Sequence, residues 1–392
     1  MTRALIAGAG ISGLTAALAL ARAGIDVVIF ERAPVLEEFG AGLQLSPNAT
    51  RILWRLDAFD VVAKQSLVTR AIRMLRGRDG AELAKLPLGD AEARWGAPFF
   101  VLHRARLQRA LVERVARQPN ISVRMGAEIV GFSSDETGVS VGVKLGAIGV
   151  RERGEFLIGA DGLRSTVRHR LGLGETGAAQ FLGRVAFRAM IEADKVEPRW
   201  REPDVTLRLG KRAHLVHYPL RGETINVVAV IESGWRGDKN DESWDGEADV
   251  ASLENAFANW SPDARALLAL APGWRAWPLY GRPPLARFAL GRVALIGDAA
   301  HPMPPFLAQG AAQGIEDAAA LAAALGKTAD IVTALARYSA MRVARANRVQ
   351  REAIAQAMLY HMAGPLALAR DLAMRALGSE RLLKRYDWLY GA

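Results

Sequence analysis

Apolar residues recur along this chain in two distinct rhythms. Near the start, Ala4-Leu5-Ile6-Ala7 is an unbroken apolar run of strand length. Ala- and Leu-rich sequence follows as far as Gly24, and a second apolar run, Ile25 to Phe30, closes on Glu31. Short unbroken runs flanking a longer helical stretch predict buried strands around a helix. Between Ile121 and Val150 the rhythm changes to apolar–polar alternation, with turns near Glu136-Thr137-Gly138 and Gly146, which predicts antiparallel strands. Ala71 to Leu75 and Glu82 to Leu86 flank Asp79-Gly80 as a short hairpin, and a β-rich section runs from about 181 to 233, with strands over 205–209, 214–219 and 225–231. Helices are expected over 49–56, from Arg104 to about Arg117, over 251–270, after Gly310, and from Ile331 to the end. Glycines and Pro47 make 37–48 a loop, and 235–249 reads as a second, polar one. No repeat at a fixed period interrupts this order.

Three of the predicted strands end in chemistry. The first breaks at Gly8-x-Gly10-x-x-Gly13. There Gly8 permits a tight turn, Gly10 lets backbone approach a pyrophosphate, and Gly13 allows close helix–strand packing. The helix that follows aims free N–H groups and its positive dipole end at the phosphates. Glu31 stands 21 residues after Gly10, where a ribose-binding acid belongs. The second is Phe156-Leu157-Ile158-Gly159, which runs into Ala160-Asp161-Gly162. The third, Val293 to Ile296, runs into Gly297-Asp298. A lone glycine triplet is also compatible with an ordinary strand–helix turn. Strand, turn, helix, strand and terminal acid in register favour a dinucleotide site.

Composition narrows the rest. At 392 residues, two domains or a composite are expected. The absence of Cys excludes disulfides, thiolate catalysis, Cys-bound zinc and iron–sulfur clusters; no metal site is expected. No apolar run is long enough to span a bilayer, and the first strand begins almost at Met1, so a cytoplasmic location is the expectation. The net charge of +10 suits an anionic substrate or phosphorylated cosubstrate. Without a recognised binding module it does not point to nucleic acid.

Taken together, the three strand-end signatures and the closing Tyr386-Asp387-Trp388-Leu389-Tyr390-Gly391 resemble the single-component flavoprotein aromatic hydroxylases, which include salicylate, 3-hydroxybenzoate and 6-hydroxynicotinate hydroxylases. The resemblance spans nearly the whole chain. It implies an α/β fold in which a Rossmann-like GxGxxG FAD-binding domain (1–68, 99–178 and 279–346) is interleaved with a β-sheet substrate domain (69–98 and 179–278). C-terminal helices (347–392) would close the assembly. The cofactor would be FAD, with NADH or NADPH and O2 as cosubstrates. A flavin C4a-hydroperoxide would hydroxylate a small phenolic or hydroxyheteroaromatic acid in a monomer or homodimer. The resemblance also implies residue roles: Gly8, Gly10, Ser12, Gly13 and Glu31 hold the ADP half of FAD, with Arg32 beside the ribose and pyrophosphate. Gln44, Arg104 and Val130 would contact the cofactor. Asp161 would serve both FAD and nicotinamide, with Arg164 as a phosphate contact. Asp298 would bond the ribityl chain, and the amides of Gly310, Ala311 and Ala312 would face the pyrimidine edge. A helix start independently places donors where a reduced flavin gathers negative charge. Two positions depart from the family pattern: Arg106 stands where Asp is frequent, and Ala308 where many relatives have Gly.

On the substrate side, a phenolate is more nucleophilic than a phenol, so a base is wanted, and His suits neutral pH. The six His are His103, His169, His214, His217, His301 and His361. His214 and Tyr218, four residues apart on a strand, share a face, as the His/Tyr pair of the resembling hydroxylases does. Read from the residues alone, His214 is an edge-strand His bonded to backbone; the resemblance makes it the base. His217 points the other way as a structural residue, and His301 shapes its loop. Pro305 and Phe306 would line the substrate pocket. Two other readings share the scaffold: an oxidoreductase acting on a larger polyketide- or prenyl-type substrate, and a non-catalytic flavin-binding regulator.

Overall fold

A computed structural model describes residues 2–36, 41–173, 179–234, 246–247 and 249–391. The first part of the expected 37–48 loop, and most of the expected 235–249 loop, lie outside the described residues.

The unbroken apolar runs form the middle of a six-stranded sheet, because parallel strands are covered on both faces. Its order is Ala289–Leu290, Val293–Leu295, Phe156–Gly159, Arg3–Ala7, Asp26–Glu31, Ile121–Met125. All neighbours pair in parallel except the first two. The expectation for 121–150 is corrected at its start: Ile121–Met125 joins this sheet in parallel beside Asp26–Glu31, with Ile121 opposite Val27. Alternation reports burial of one face and says nothing about the direction of the partner strand. The remainder, Ala127–Ser134, Val139–Leu145 and Ile148–Gly154, is the expected antiparallel meander.

The second large sheet has eight strands. In its centre Gln180–Glu192, Thr224–Glu232, Ala213–Leu220 and Asp204–Gly210 run antiparallel, and the Ala71–Arg76/Glu82–Pro87 hairpin extends one edge. One face packs against the C-terminal helices through Met74, Leu83, Leu207, Met374 and Tyr390; the other is covered by Leu253, Phe257 and Leu267. The helix expected over 251–270 is two helices, Val250–Phe257 and Pro262–Ala269. Pro262 cannot continue a helix from within, but it opens one. Ser261 caps that second helix, its hydroxyl accepting from the Ala264 N–H at 3.4 Å.

Among the described residues no helix is long and apolar enough to cross a membrane, and no group of three or more His, Asp or Glu is placed to hold a metal ion. The C-terminal ends of Arg3–Ala7, Phe156–Gly159 and Val293–Leu295 open on the same side, facing the eight-stranded sheet. That is where open parallel sheets bind ligands.

Candidate active site

The glycine turn has the geometry its spacing requires. Gly8 has φ +101°, and a Cβ on Gly13 would stand 2.0 Å from the Gly8 carbonyl oxygen. At Gly10 a Cβ would meet nothing within 4 Å, so open space lies beside the turn where a pyrophosphate would run. Glu31 closes the loop from the next strand end: its carboxylate accepts from the Ala9 N–H at 2.7 Å and the Ala33 N–H at 2.9 Å. Arg32 is exposed beside it.

Asp161 braces its own turn, accepting from the Ser165 hydroxyl at 2.5 Å and the Val167 N–H at 3.1 Å. Burial raises its pKa against those bonds. Arg168, which sequence reasoning missed, leaves the same helix and donates to the carbonyls of Ala299 and Ala300 at 3.2 and 3.1 Å. It thereby fixes the turn that carries Asp298. Asp298 itself is accessible from a cavity of about 370 Å3. The protein around it pushes its carboxyl up, and His301 and Arg104 pull it partly back.

That cavity gathers most of the residues singled out from sequence. Gly10, Ser12, Gln44, Arg104, Asp298, Gly310 and Ala311 line it. His214, Tyr218, Pro305 and Phe306 line it as well. Ala312 is buried in the helix behind. Val130 lies outside the cavity, exposed on Ala127–Ser134, with its carbonyl accepting from Arg170 at 3.3 Å. Arg164 also lies outside it. Arg106 departs from the cavity as well, and ties its helix to the neighbouring hairpin by donating to the Arg221 carbonyl at 2.7 Å.

The helix Gly310–Leu325 starts without a side-chain cap, so its first-turn N–H groups are left to a ligand. The open space at Gly10, the accessible Asp298 and this uncapped helix start fit the pyrophosphate, ribityl chain and ring of a flavin dinucleotide. Ala308, just before the helix, has φ +52° and ψ +36°, the left-handed region that the family's Gly adopts freely.

Behind this turn lies a buried polar network that the motifs did not reveal. Asn48 donates to Glu316 at 2.6 Å and Gln309 at 3.1 Å, and Gln309 donates to Ser46 at 2.8 Å. Arg342 bridges Glu316 at 2.5 Å and Asp317 at 2.6 Å. Asp317 also accepts from the Gly297 N–H at 2.9 Å and contacts His301 Nε2 at 2.6 Å. Burial alone would raise the Asp317 pKa, but His301 and Arg342 bring it down to about 2. One network thus fixes both the Asp298 turn and the Gly310 helix start.

Across the cavity, His214 is not the edge-strand residue read from the residues alone. Ala213–Leu220 lies between two partner strands, and His214 Nδ1 meets His361 Nε2 at 2.8 Å rather than backbone. Its ring stands edge-on to Phe306 at 5.4 Å between centroids. Burial, then His361 and Arg184, press its pKa well below the ordinary histidine value, so it is neutral at neutral pH. Burial pushes the Tyr218 phenol up, and its side chain is hydrogen-bonded to Gln44. It stays protonated and can donate. His217 lies on the opposite face against Trp200, at 6.2 Å, as expected.

Arg188 was missed altogether. It lines the same cavity half-buried, its guanidinium 5.3 Å from the Trp277 ring centroid and its Nε buried and unbonded. Among the described residues no carboxylate pairs with it. Its signal in the sequence was a charged residue in the apolar alternation Val185-Ala186-Phe187-Arg188-Ala189.

Fold and site together define a flavin-dependent oxidoreductase with a pocket lined in part by aromatic side chains. The chain matches the FAD binding domain family over residues 1–353 and belongs to it. It is 36% identical over 394 residues to 3-hydroxybenzoate 6-hydroxylase 1 of Aquipseudomonas alcaligenes, covering 99% of this chain and 97% of that protein. It is 36% identical to a 3-amino-4-hydroxybenzoate 2-monooxygenase of Streptomyces platensis, covering 99% and 96%. To the 6-hydroxynicotinate 3-monooxygenase of Bordetella bronchiseptica it is 33% identical, covering 89% and 90%. Among solved structures, Klebsiella pneumoniae HpxO complexed with FAD and uric acid superposes with a TM-score of 0.86 at 25% identity, covering 98% of this chain and 95% of that one. A salicylate hydroxylase substrate complex shares the fold, with a TM-score of 0.84 at 24% identity over 100% and 95%. The protein is accordingly an FAD-dependent aromatic monooxygenase.

Proposed function

We propose that this monooxygenase uses NADH or NADPH and O2 to hydroxylate a small phenolic or hydroxyheteroaromatic acid. The observation that carries the reading is the composition of the cavity wall facing the flavin side. A neutral imidazole, a protonated phenol and a half-buried guanidinium with no carboxylate partner among the described residues stand together there. His214 would take the substrate hydroxyl proton, making the ring electron-rich. Tyr218 would donate to the substrate and hold its orientation. Arg188 would receive the carboxylate: a partly desolvated cation is costly without a counter-ion, and a bound acid supplies one. Phe306 packs the ring from the side of the Pro305 turn. Bound FAD, reduced by the nicotinamide, supplies the activated oxygen. The residues of this chain select, orient and deprotonate the ring that receives it. The relatives' small aromatic substrates, hydroxybenzoates and hydroxynicotinate, favour this reading over a polyketide-sized one. We further take the protein to be cytoplasmic and to work as a monomer or homodimer.

The test is NAD(P)H oxidation against hydroxylated aromatic acids and their carboxamides, with peroxide and product quantified. The proposal expects hydroxy acids to give product, and the amides to bind at least about 30-fold more weakly, since a charge-assisted bond of roughly 2 kcal/mol is lost. Equal turnover of acids and amides, or none with any phenolic acid, overturns the substrate class.

A further inference from the structure

His361 caps the C-terminal end of the helix Ile331–Tyr360 and is 147 residues from His214 in sequence, yet the two rings are joined at 2.8 Å. On its far side, His361 Nδ1 stands 3.3 Å from Glu232 Oε1 and 3.4 Å from Arg184 Nε. Glu232 ends the strand beside His214 and also contacts Arg184 at 3.4 Å and the exposed Arg212 at 2.8 Å. His214 and His361 are buried, whereas the Glu232 side chain is 27% exposed. The polar chain therefore runs unbroken from the substrate cavity to solvent.

We propose that His361 and Glu232 form the outlet through which the substrate's hydroxyl proton leaves the pocket. The proposal rests on His214 being the base. Before transfer, His214 Nδ1–H donates to His361 Nε2, and His361 Nδ1–H donates to Glu232. The substrate O–H bond breaks and its proton bonds to His214 Nε2. The Nδ1 proton of His214 passes to His361 Nε2, and the Nδ1 proton of His361 passes to Glu232, which gives it to water. After transfer both imidazoles are neutral again in the opposite tautomer. The bared His361 Nδ1 then accepts from Arg184 Nε–H. One proton enters and one leaves, and no charge stays in the buried pair.

The electrostatics explain why an outlet is useful. Burial, with His361 and Arg184 alongside, makes an imidazolium at His214 costly, and burial together with Arg184 brings His361 down to about 4 despite Glu232. A base that cannot hold charge must lose one proton as it gains another. Glu232, held below the usual carboxylate range by Arg212 and His361 against its partial burial, releases its proton to water at neutral pH. The groups facing His361 are His214, Arg184, Glu232 and Arg212, whose backbone N–H donates to the His361 carbonyl at 3.2 Å, with Tyr360 next to it in the helix.

The test is proton release from the FAD-loaded enzyme on mixing with 3-hydroxybenzoate in lightly buffered indicator dye, alongside the flavin difference spectrum that reports binding. 3-Methoxybenzoate, which has no proton to give, is the control. Glu232→Gln, isosteric and part-exposed, should bind both ligands as the parent does, yet release the proton about 10²-fold more slowly, the low end of what a positioned acid–base group contributes. His361→Ala should do the same, with imidazole restoring part of the rate. Parent-like release from Glu232→Gln overturns the outlet, whether or not His361→Ala folds. If His214→Gln still suppresses release in that case, the base assignment survives alone. If the parent enzyme itself releases no proton, or His214→Gln releases it normally, both ideas fall.

Discussion

Two buried polar clusters flank the cavity, and they are built in opposite ways. Behind the Gly310 helix start, Asn48, Gln309, Glu316, Asp317 and Arg342 bond to one another, with both Arg342 contacts to carboxylates within 2.6 Å. Opposite, Arg188 is half-buried with its Nε unbonded, and among the described residues His214 is hydrogen-bonded through Nδ1 alone. Burying polar groups is costly in both places, and the first cluster recovers more of that cost within the folded chain, although the His301 Nδ1 beside it is unbonded. The satisfied cluster acts as a frame. The unsatisfied wall keeps bonding capacity for a ligand. Unbonded buried polar atoms also occur away from the cavity, at Arg208, His217 and Asn347, so it is their coincidence with the cavity at Arg188 that singles out this wall.

Breaking the frame should have the largest effect. Arg342→Leu leaves Asp317 buried without its arginine while Glu316 keeps Arg345 at 2.6 Å, which should destabilise the protein by about 3 kcal/mol and loosen FAD at the same time. Denaturant midpoints with and without added FAD measure both. In the parent, Asp317 is lowered from 3.8 in the unfolded chain to about 2. Its contribution to stability is therefore complete above about pH 4 and lost as pH falls towards 2. Arg342→Leu should blunt that dependence, and an unchanged acid limb with an unchanged midpoint would mean that the network is incidental.

A smaller effect sharpens the contrast from within the flavin-side turn. Ala308 sits at φ +52°, which costs a residue with a Cβ about 1–2 kcal/mol. Glycine there loses about 0.4–1 kcal/mol through its freer unfolded chain. Ala308→Gly should therefore raise the denaturant midpoint slightly, by a net of roughly 1 kcal/mol or less. A lower midpoint would show that the turn is unstrained.

How far the sequence revealed these regions depends on distance along the chain. The Gly8–Gly13 turn, Glu31 and the Gly297-Asp298 strand end were legible because each is a local pattern whose spacing is its mechanism. His214 and Tyr218 were legible as a pair because strand periodicity puts positions four apart on one face. Asn48 meeting Glu316 across 268 positions, and His214 meeting His361 across 147, have no local signature. Arg188 did leave one, a lone charge in an apolar strand, but a strand alone does not say which face holds the cavity. The break at Ser261-Pro262 was also written locally. There the apolar pattern running through 251–270 outweighed a cap and a proline that together announce a new helix. Direction of pairing, as at Ile121–Met125, is a tertiary property.

The central claim is that His214 accepts the substrate's hydroxyl proton, and its most direct measurement is the ratio of product formed to NAD(P)H consumed, followed across pH in the parent and in His214→Gln. Glutamine keeps a polar group of similar reach but cannot serve as a base. Hydroxylation should fall by about 10²–10⁴-fold, while FAD content and the substrate-stimulated oxidation of NAD(P)H fall far less. The variant should thus make peroxide in place of product near neutral pH, and recover part of its coupling as pH rises and the substrate ionises unaided. A His214→Gln enzyme that stays fully coupled at neutral pH would show that His214 is a structural histidine and that the base lies elsewhere.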